Sequence, residues 1–221
     1  MSTHVIKNYR TDIKIVVVGN SGTGKTSFCS RWIKGIFSEI YKATVMSDFS
    51  FKIYEYKGNT YKIQFWDIAG QDKNVYTSKI FTKNAHGSIV LYDATNPDTL
   101  KETLKWKKAI DENTKFVDGD YLPSVLIQNK IDLIDEDQIK NDQEGRTFAE
   151  QNQFINFFKT SCKTGVGVEE CMDFMIKAII DRLEEYSKNT NTPIEKDNRT
   201  SIVQKPRTET TSMLNSKQNC C

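Results

Sequence analysis

The chain has 221 residues, of which 38% are hydrophobic, so it can bury one sizeable core and is expected to form a single globular domain with an appendage. Its 31 basic and 29 acidic side chains leave a formal charge of +2, which is too balanced for a typical nucleic-acid-binding protein, so we expect no nucleic-acid partner. No apolar run approaches the roughly 18 residues that cross a bilayer, and the five irregularly spaced cysteines favour a reducing, cytosolic setting over a disulfide scaffold.

The periodicity of the sequence predicts alternating strands and helices. Six segments are predicted as strands, and they lie at 12–18, 48–57, 60–67, 88–94, 124–129 and 155–160. The first strand leads through a glycine-rich turn into a helix at 26–34, and the second and third form a hairpin that turns at Gly58-Asn59. We therefore predict an α/β fold with a six-stranded, mostly parallel sheet, one antiparallel edge strand, and helices on both faces.

The last helix has the clearest pattern, because apolar residues from Val168 to Leu183 recur at i, i+3, i+4 and i+7. This single stripe predicts a soluble helix that packs on the core rather than a membrane or partner helix. From Ser187 onward the composition shifts to Asn, Thr, Ser, Lys and Gln, with too few apolar residues to offset the entropy of folding. We predict a globular domain at 1–186 and a disordered tail at 187–221.

A phosphate-binding loop is predicted directly after the first strand, where the sequence matches G-x-x-x-x-G-K-[ST]. Its residues are Gly19, Asn20, Ser21, Gly22, Thr23, Gly24, Lys25 and Thr26. The position between a strand and a helix favours this interpretation over a chance glycine turn. Backbone N–H groups and the helix N-terminus would surround the phosphates, Lys25 would reach the β- and γ-phosphates, and the Thr26 hydroxyl would bind Mg²⁺. The motif predicts a nucleoside triphosphate without specifying the base.

The base is indicated by Asn129-Lys130-Ile131-Asp132, at the end of the strand 124–129, because ligands collect at the carboxyl ends of parallel strands. The Asp132 carboxylate can accept hydrogen bonds from guanine N1–H and its exocyclic amino group, whereas adenine presents an unprotonated N1. The Asn129 amide and the aliphatic part of Lys130 would complete the pocket. Alone, this short pattern fits a solvated loop equally well, but downstream of a phosphate loop it predicts guanine.

Between these motifs lies the segment from Trp66 to Gln71, which closes the second strand of the hairpin. The Asp67 carboxylate can hold the magnesium shell, and the backbone N–H of Gly70 can reach a γ-phosphate. Gln71 can orient an attacking water, since hydrolysis of this kind depends on positioning and charge stabilisation. We predict Gln71 as the catalytic residue.

The motifs GNSGTGKT, DIAGQ and NKID, with Ser161-Cys162-Lys163, resemble the ordered guanine-nucleotide motifs of the Ras superfamily of small GTPases over about residues 10–186. The resemblance implies a molecular switch that cycles between GDP- and GTP-bound states, requires Mg²⁺, and hydrolyses GTP slowly without help. Thr44 would be the threonine that joins magnesium, and Phe37 would lie against the guanine.

The same resemblance assigns the third base-binding segment. The backbone N–H of Cys162 would meet the base oxygen, Ser161 would shape the loop, and Lys163 would pack on the base. Cys162 stands where alanine is commoner in the superfamily, which should preserve a backbone contact.

Three aromatic residues are similar to a set found in the Rab branch of the superfamily. Trp66 falls on the polar face of its strand, where an exposed tryptophan indicates either a rim residue under a neighbouring loop or an interaction surface. In Rab GTPases, Phe49, Trp66 and Phe81 would occupy the positions of a triad that effectors recognise. The alternation along the strand 48–57 places Phe49 on the same face as Phe51 and Ile53. This alternation alone does not predict that Phe49 is exposed.

The chain ends in Cys220 and Cys221, which resembles the double-cysteine ending to which Rab proteins attach geranylgeranyl groups. Two lipid chains are also what stable anchoring requires. The resemblance implies regulation of vesicle trafficking at the cytoplasmic face of an intracellular membrane, with a cytosolic pool. Ile68 and the segment 104–107 are similar to the corresponding residues of the Rab branch that acts on lysosome-related organelles and phagosomes. An endosomal, phagosomal or lysosome-related membrane is therefore expected.

Rab-like partners are implied as well: a guanine-nucleotide exchange factor, a GTPase-activating protein, a GDP-dissociation inhibitor, a Rab escort protein with geranylgeranyl transferase, and effectors of the GTP state. We expect the chain itself to be a monomer. Two alternative classes of protein fit these residues less well. A P-loop kinase would need an acceptor pocket and lid arginines that the sequence does not offer, and Asp132 argues against it. A module that binds GTP without hydrolysing it is disfavoured by the presence of Gln71 and Thr44.

Overall fold

The computed structural model describes residues 11–40, 44, 48–70, 81–140 and 143–190. The strands in these ranges are β1 (Thr11–Gly19), β2 (Asp48–Tyr56), β3 (Asn59–Asp67), β4 (Gly87–Asp93), β5 (Ser124–Asn129) and β6 (Asn156–Thr160). The helices are α1 (Lys25–Lys34), α2 (Asp98–Asn113), α3 (Glu136–Lys140), α4 (Gln143–Gln151) and α5 (Val168–Thr190), with a short 3₁₀ turn at Ile131–Leu133.

The strands form one six-stranded sheet in the order β2-β3-β1-β4-β5-β6. All neighbouring pairs are parallel except β2 with β3, which lie antiparallel at one edge. This arrangement confirms the predicted mixed sheet with its single antiparallel edge strand. Because the central strands are parallel, their carboxyl ends meet at one edge, where a ligand site is expected.

Helices cover both faces of the sheet, as predicted. The side chains of Phe157 and Phe158 point to opposite faces because successive residues in a strand alternate. Phe157 packs so closely on Gly145 of α4 that a Cβ there would lie 2.4 Å from its ring. Phe158 instead packs on Phe174 of α5, with ring centroids 5.4 Å apart. The two helices therefore lie on opposite sides of β6.

The β2–β3 hairpin turns one residue earlier than predicted. Its two-residue loop is Lys57-Gly58, with φ angles of 49° and 71°, the left-handed values that a tight turn between antiparallel strands requires. Asn59 is already paired with Tyr56 across the hairpin, so it belongs to β3. The turn residues Lys57 and Gly58 consequently fix the register of the whole edge of the sheet.

The last helix buries the predicted apolar stripe, which consists of Val168, Cys171, Met172, Met175, Ile176, Ile179, Ile180 and Leu183. It extends to Thr190, so the boundary predicted at Ser187 is too early. The Thr190 hydroxyl donates to the backbone oxygen of Tyr186 at 2.8 Å, one turn back, which shows that helical geometry continues into the polar segment. Residues 191–221, with Cys220 and Cys221, lie outside the described residues. None of the helices described is long and apolar enough to cross a membrane.

Candidate nucleotide-binding site

A cavity of about 800 Å³ opens at the carboxyl edge of the sheet. The phosphate loop follows β1, Gly70 follows β3, Asn129 ends β5 and Cys162 follows β6, so four strands deliver residues to its wall. Sites for small ligands typically measure about 300–1,000 Å³. The cavity is therefore large enough for a nucleotide, and it lies where parallel sheets bind one.

Two glycines of the phosphate loop permit approaches that no other residue could make. Gly19 has φ +142°, and a Cβ there would lie 2.3 Å from the backbone oxygen of Leu91. Gly24 has φ +96°, and its Cβ would lie 2.2 Å from Asn129 Nδ2. Gly24 also precedes α1 and supplies no side-chain cap, so no N-cap side chain occupies the first N–H groups of a helix whose first residues line the cavity. Such a helix start suits an anion.

Lys25 lies buried beneath this loop. Its Nζ donates to the backbone oxygens of Gly19 at 2.8 Å and Asn20 at 2.9 Å. Burial lowers the pKa of Lys25 to about 8, against the opposing attraction of Asp67. A Cβ on Gly70 would lie 2.5 Å from the same Nζ, so glycine allows the backbone of residue 70 to approach the ammonium group. The lysine and the Gly70 backbone thus share one end of the cavity, as predicted.

Three oxygen-bearing side chains meet beside Lys25. The Thr26 hydroxyl donates to Asp67 Oδ2 at 2.5 Å, and the Thr44 hydroxyl, 2.8 Å from Thr26 Oγ1, donates to Thr26 in turn. Asp67 is 3% exposed, and burial raises the pKa of its carboxyl group. Among the described residues, Asp67 Oδ1 has no hydrogen-bond partner although it is buried. This cluster of hard oxygen donors around an orphaned carboxylate atom fits Mg²⁺.

At the other end of the cavity, Asp132 lies exposed on the wall. Its Oδ1 accepts a hydrogen bond from Ser161 Oγ at 2.5 Å, which joins the two predicted base-binding segments. Lys130 adopts a left-handed backbone with φ 68°, and its Nζ lies 2.5 Å from Asp93 Oδ2. Lys163 forms an ion pair with Glu39 at 3.0 Å, and Phe37 also lines the cavity. The predicted base-binding residues are therefore brought together.

Asn129 is buried, with 1% exposure, between the two halves of the site. Its Nδ2 donates to the backbone oxygen of Thr23 at 2.8 Å, and its Oδ1 accepts from Thr160 Oγ1 at 3.1 Å and Cys162 Sγ at 3.2 Å. From its motif, Asn129 was expected only at the base. In the structure it also connects the phosphate loop to the base-binding segments.

Three further residues that the sequence analysis missed hold the site in place. Arg31 donates from Nε to the backbone oxygen of Cys162 at 2.6 Å, and from Nη2 to that of Lys163. Asp93 holds Lys130 as described, and Trp106 of α2 donates from Nε1 to Asn20 Oδ1 at 3.1 Å. Of these three residues, only Trp106 could have been suspected from its residue type, because a buried tryptophan usually needs an acceptor for its indole N–H.

The predicted aromatic triad also comes together. The Trp66 ring lies 5.4 Å from Phe49 and 6.4 Å from Phe81, centroid to centroid. Phe49 is 44% exposed, on the same face of the hairpin as Phe51. Trp66 itself is half-buried rather than exposed, because the Lys14 ammonium group lies 4.3 Å from its ring centroid and the two phenylalanines flank it.

The residue predicted to be catalytic, Gln71, lies outside the described residues. Gly70, which directly precedes it in the chain, lines the cavity, as does Thr44.

The fold and the site define a protein that binds nucleotides through a phosphate loop on a mostly parallel sheet. The family model described as "Ras family" matches residues 14–181. The chain is 31% identical to human Ras-related protein Rab-32 over 80% of this chain and 79% of that protein. It is 34% identical to Rab-32C of Dictyostelium discoideum over 80% and 78%, and 36% identical to Rab-1 of Theileria annulata over 85% and 83%.

The chain belongs to the Ras family, within which it is a Rab-type small GTPase. It binds guanine nucleotide, hydrolyses GTP and regulates membrane trafficking, as the resemblance implied. Rab-32 relatives among those matched agree with the predicted branch. Exchange factors, GTPase-activating proteins, dissociation inhibitors and effectors are its general classes of partner.

Proposed function

We propose that the cavity binds GTP or GDP with Mg²⁺, with the phosphates at Lys25 and the base at Asp132. The observation that carries this proposal is the cluster of Thr26, Thr44 and Asp67 oxygens beside Lys25, inside one cavity that also contains Asp132. A kinase would share the phosphate end, but a carboxylate at the base end favours guanine over adenine.

The phosphates would be bound by the chain's own cationic and N–H groups. Backbone N–H groups of the phosphate loop and the N-terminus of α1 would surround them, with Lys25 at the β- and γ-phosphates and Gly70 N–H at the γ-phosphate. Thr26, Thr44 and Asp67 would hold Mg²⁺, which supplies charge neutralisation for the phosphate oxygens when it is bound.

Hydrolysis would depend on positioning. Gln71, directly after Gly70, would orient the attacking water at the phosphate end of the cavity. No described residue places an arginine guanidinium among the residues lining that end, so unassisted turnover would be slow. An activating protein would supply the missing positive charge.

Thr44 would make the site a switch. Its hydroxyl lies 2.8 Å from that of Thr26 in the phosphate loop, so bound triphosphate and Mg²⁺ would favour the state in which Thr44 is held there. Effectors would then recognise the ordered surface that includes Phe49, Trp66 and Phe81. The rings of Phe49 and Phe81 both contact that of Trp66, so the three form one group, and aromatic residues are enriched at interaction surfaces.

Membrane attachment would use Cys220 and Cys221, which a Rab escort protein and geranylgeranyl transferase would modify. The location proposed is the cytoplasmic face of an endosomal, phagosomal or lysosome-related membrane, with a cytosolic pool of monomer. Flotation of the modified chain with liposomes tests the anchor. Replacement of both cysteines by serine should abolish flotation, and unchanged flotation would contradict this assignment.

The nucleotide proposal is tested in two measurements. Denaturation of the purified chain should release GDP or GTP; release of ATP, ADP or no nucleotide would overturn it. Single-turnover GTP hydrolysis should then be slower in Gln71→Leu than in the wild type, while Gln151→Leu, at an exposed position of α4, serves as the matched control. Equal rates for wild type and Gln71→Leu would remove Gln71 from the mechanism and favour a module that only binds GTP.

A further inference from the structure

The amide of Asn129 has a defined orientation because its two ends contact chemically different groups. Nδ2 faces a backbone oxygen, that of Thr23, which only accepts hydrogen bonds. Oδ1 faces two donors, the hydroxyl of Thr160 and the thiol of Cys162. A rotated amide would place its oxygen against the Thr23 oxygen, which is unfavourable, and its NH₂ group against the Cys162 thiol, which is a weak acceptor.

The Cys162 side chain is suited to this role. It is buried, and burial raises the pKa of its thiol to about 12, so the S–H group remains protonated and able to donate at neutral pH. The backbone of Cys162 is held separately, because its oxygen accepts from Arg31 Nε at 2.6 Å. A change of the side chain therefore removes the bond to Asn129 while the loop keeps its anchor.

We propose that Cys162 is a positioning residue that slows nucleotide release by fixing the Asn129 amide between the base-binding segment and the phosphate loop. The proposal rests on the proposed nucleotide site. One N–H of Asn129 holds Thr23 in place, and the other is the donor that we assign to the bound base. A less constrained amide weakens both contacts, so the phosphate loop and the base pocket lose their connection together.

A side chain without a donor at position 162, such as alanine, would leave Thr160 alone to hold Asn129 Oδ1. The thiol therefore adds a second contact to this oxygen and makes retention of nucleotide partly dependent on a single sulfur atom.

The test measures dissociation of a fluorescent GDP analogue from three variants of the full chain. Cys162→Ala should release it about fivefold faster, the effect expected of one neutral hydrogen bond. Cys162→Ser, whose hydroxyl can donate to the same oxygen, should restore retention to within about twofold of wild type. Cys171→Ala, which removes an equally buried thiol from α5, serves as the control and should release at the wild-type rate.

Each other outcome is decisive. Wild-type release from Cys162→Ala would overturn the proposal, while equally fast release from Cys162→Ala and Cys162→Ser would assign the effect to sulfur packing and overturn it too. Acceleration by Cys171→Ala of the same size would show general loosening of the core instead. A wild-type chain that binds no GDP analogue would instead overturn the proposed nucleotide site itself.

Discussion

The indole N–H of Trp106 donates to Asn20 Oδ1 across 3.1 Å and so joins α2 to the phosphate loop. The backbone oxygen of Asn20 in turn accepts from Lys25 Nζ at 2.9 Å. The residue that holds the buried lysine is therefore itself held from a neighbouring helix, outside the motif.

Removal of this bond should loosen the loop without removing the aromatic packing. Trp106→Phe is expected to release GDP about fivefold faster, since a hydrogen bond of this kind contributes about 1 kcal/mol. Stopped-flow fluorescence of a labelled GDP measures the rate. Trp32→Phe is the matched control, because Trp32 Nε1 has no partner among the described residues and its loss should leave release unchanged. Equal rates in the two variants would contradict the role given to Trp106.

Gly24 should tolerate no side chain. Gly24→Ala combines a left-handed backbone with a collision against Asn129 Nδ2, so we expect loss of stable GDP binding and clear destabilisation. Gly119 also has a left-handed backbone, with φ +87°, but a Cβ there would meet open space. Gly119→Ala should therefore lower the free energy of unfolding only by the cost of the left-handed backbone, about 1 kcal/mol. Urea unfolding compares the two. Similar midpoints would show that the collision is relieved by movement of Asn129.

Arg31 should contribute to nucleotide retention through the backbone that it holds. Arg31→Lys replaces a planar group that contacts two carbonyls of the base segment, Cys162 and Lys163, by a single ammonium group. We expect GDP to dissociate about tenfold faster, which corresponds to about 1.4 kcal/mol. Arg182→Lys, which alters a guanidinium paired with Asp118 outside the cavity, provides the comparison and should retain GDP normally.

Nucleotide binding should take up a proton near pH 8. The pKa of Lys25 is lowered to about 8 by burial, and phosphate charges favour the charged form, so binding raises the pKa of Lys25. Affinity for GDP should be full below about pH 8 and fall as the pH rises above it. Calorimetry in buffers of different ionisation enthalpy measures the uptake.

Two variants separate this effect from other titrations. Lys14 also has a pKa lowered to about 8 by burial, but it contacts Trp66 rather than the cavity, so Lys14→Gln should leave the pH dependence unchanged. Arginine does not titrate in this range, so the decline should disappear from whatever affinity Lys25→Arg retains. A decline that persists in Lys25→Arg belongs to the nucleotide or to another group.

Local patterns were sufficient to predict much of this molecule. The strand and helix periods predicted the sheet with its antiparallel edge, and the phosphate loop and Asp132, recognised from short motifs, line one cavity. Each of these patterns depends only on neighbours along the chain. The connections between those parts could not be predicted in this way. Asn129 reaches Thr23, and Arg31 reaches Cys162, across more than a hundred residues of sequence. Such contacts exist only once the strands are side by side.

Two predicted boundaries differ from the structure. The hairpin turn was placed at Gly58-Asn59, but Asn59 pairs with Tyr56 across the hairpin. The domain boundary was placed at Ser187 from composition, whereas α5 continues to Thr190. In both cases a contact between segments or along the backbone outweighed the side-chain pattern.

The two-residue turn of the β2–β3 hairpin limits how this chain can change length. Trp66 and Asp67 are adjacent on β3 and project to opposite faces, so the metal carboxylate and the central residue of the triad differ by one position. Insertion or deletion of a single residue between Lys57 and Asp67 would exchange the two faces. A change of length in this hairpin by an odd number of residues would therefore disturb the metal carboxylate and the aromatic triad together.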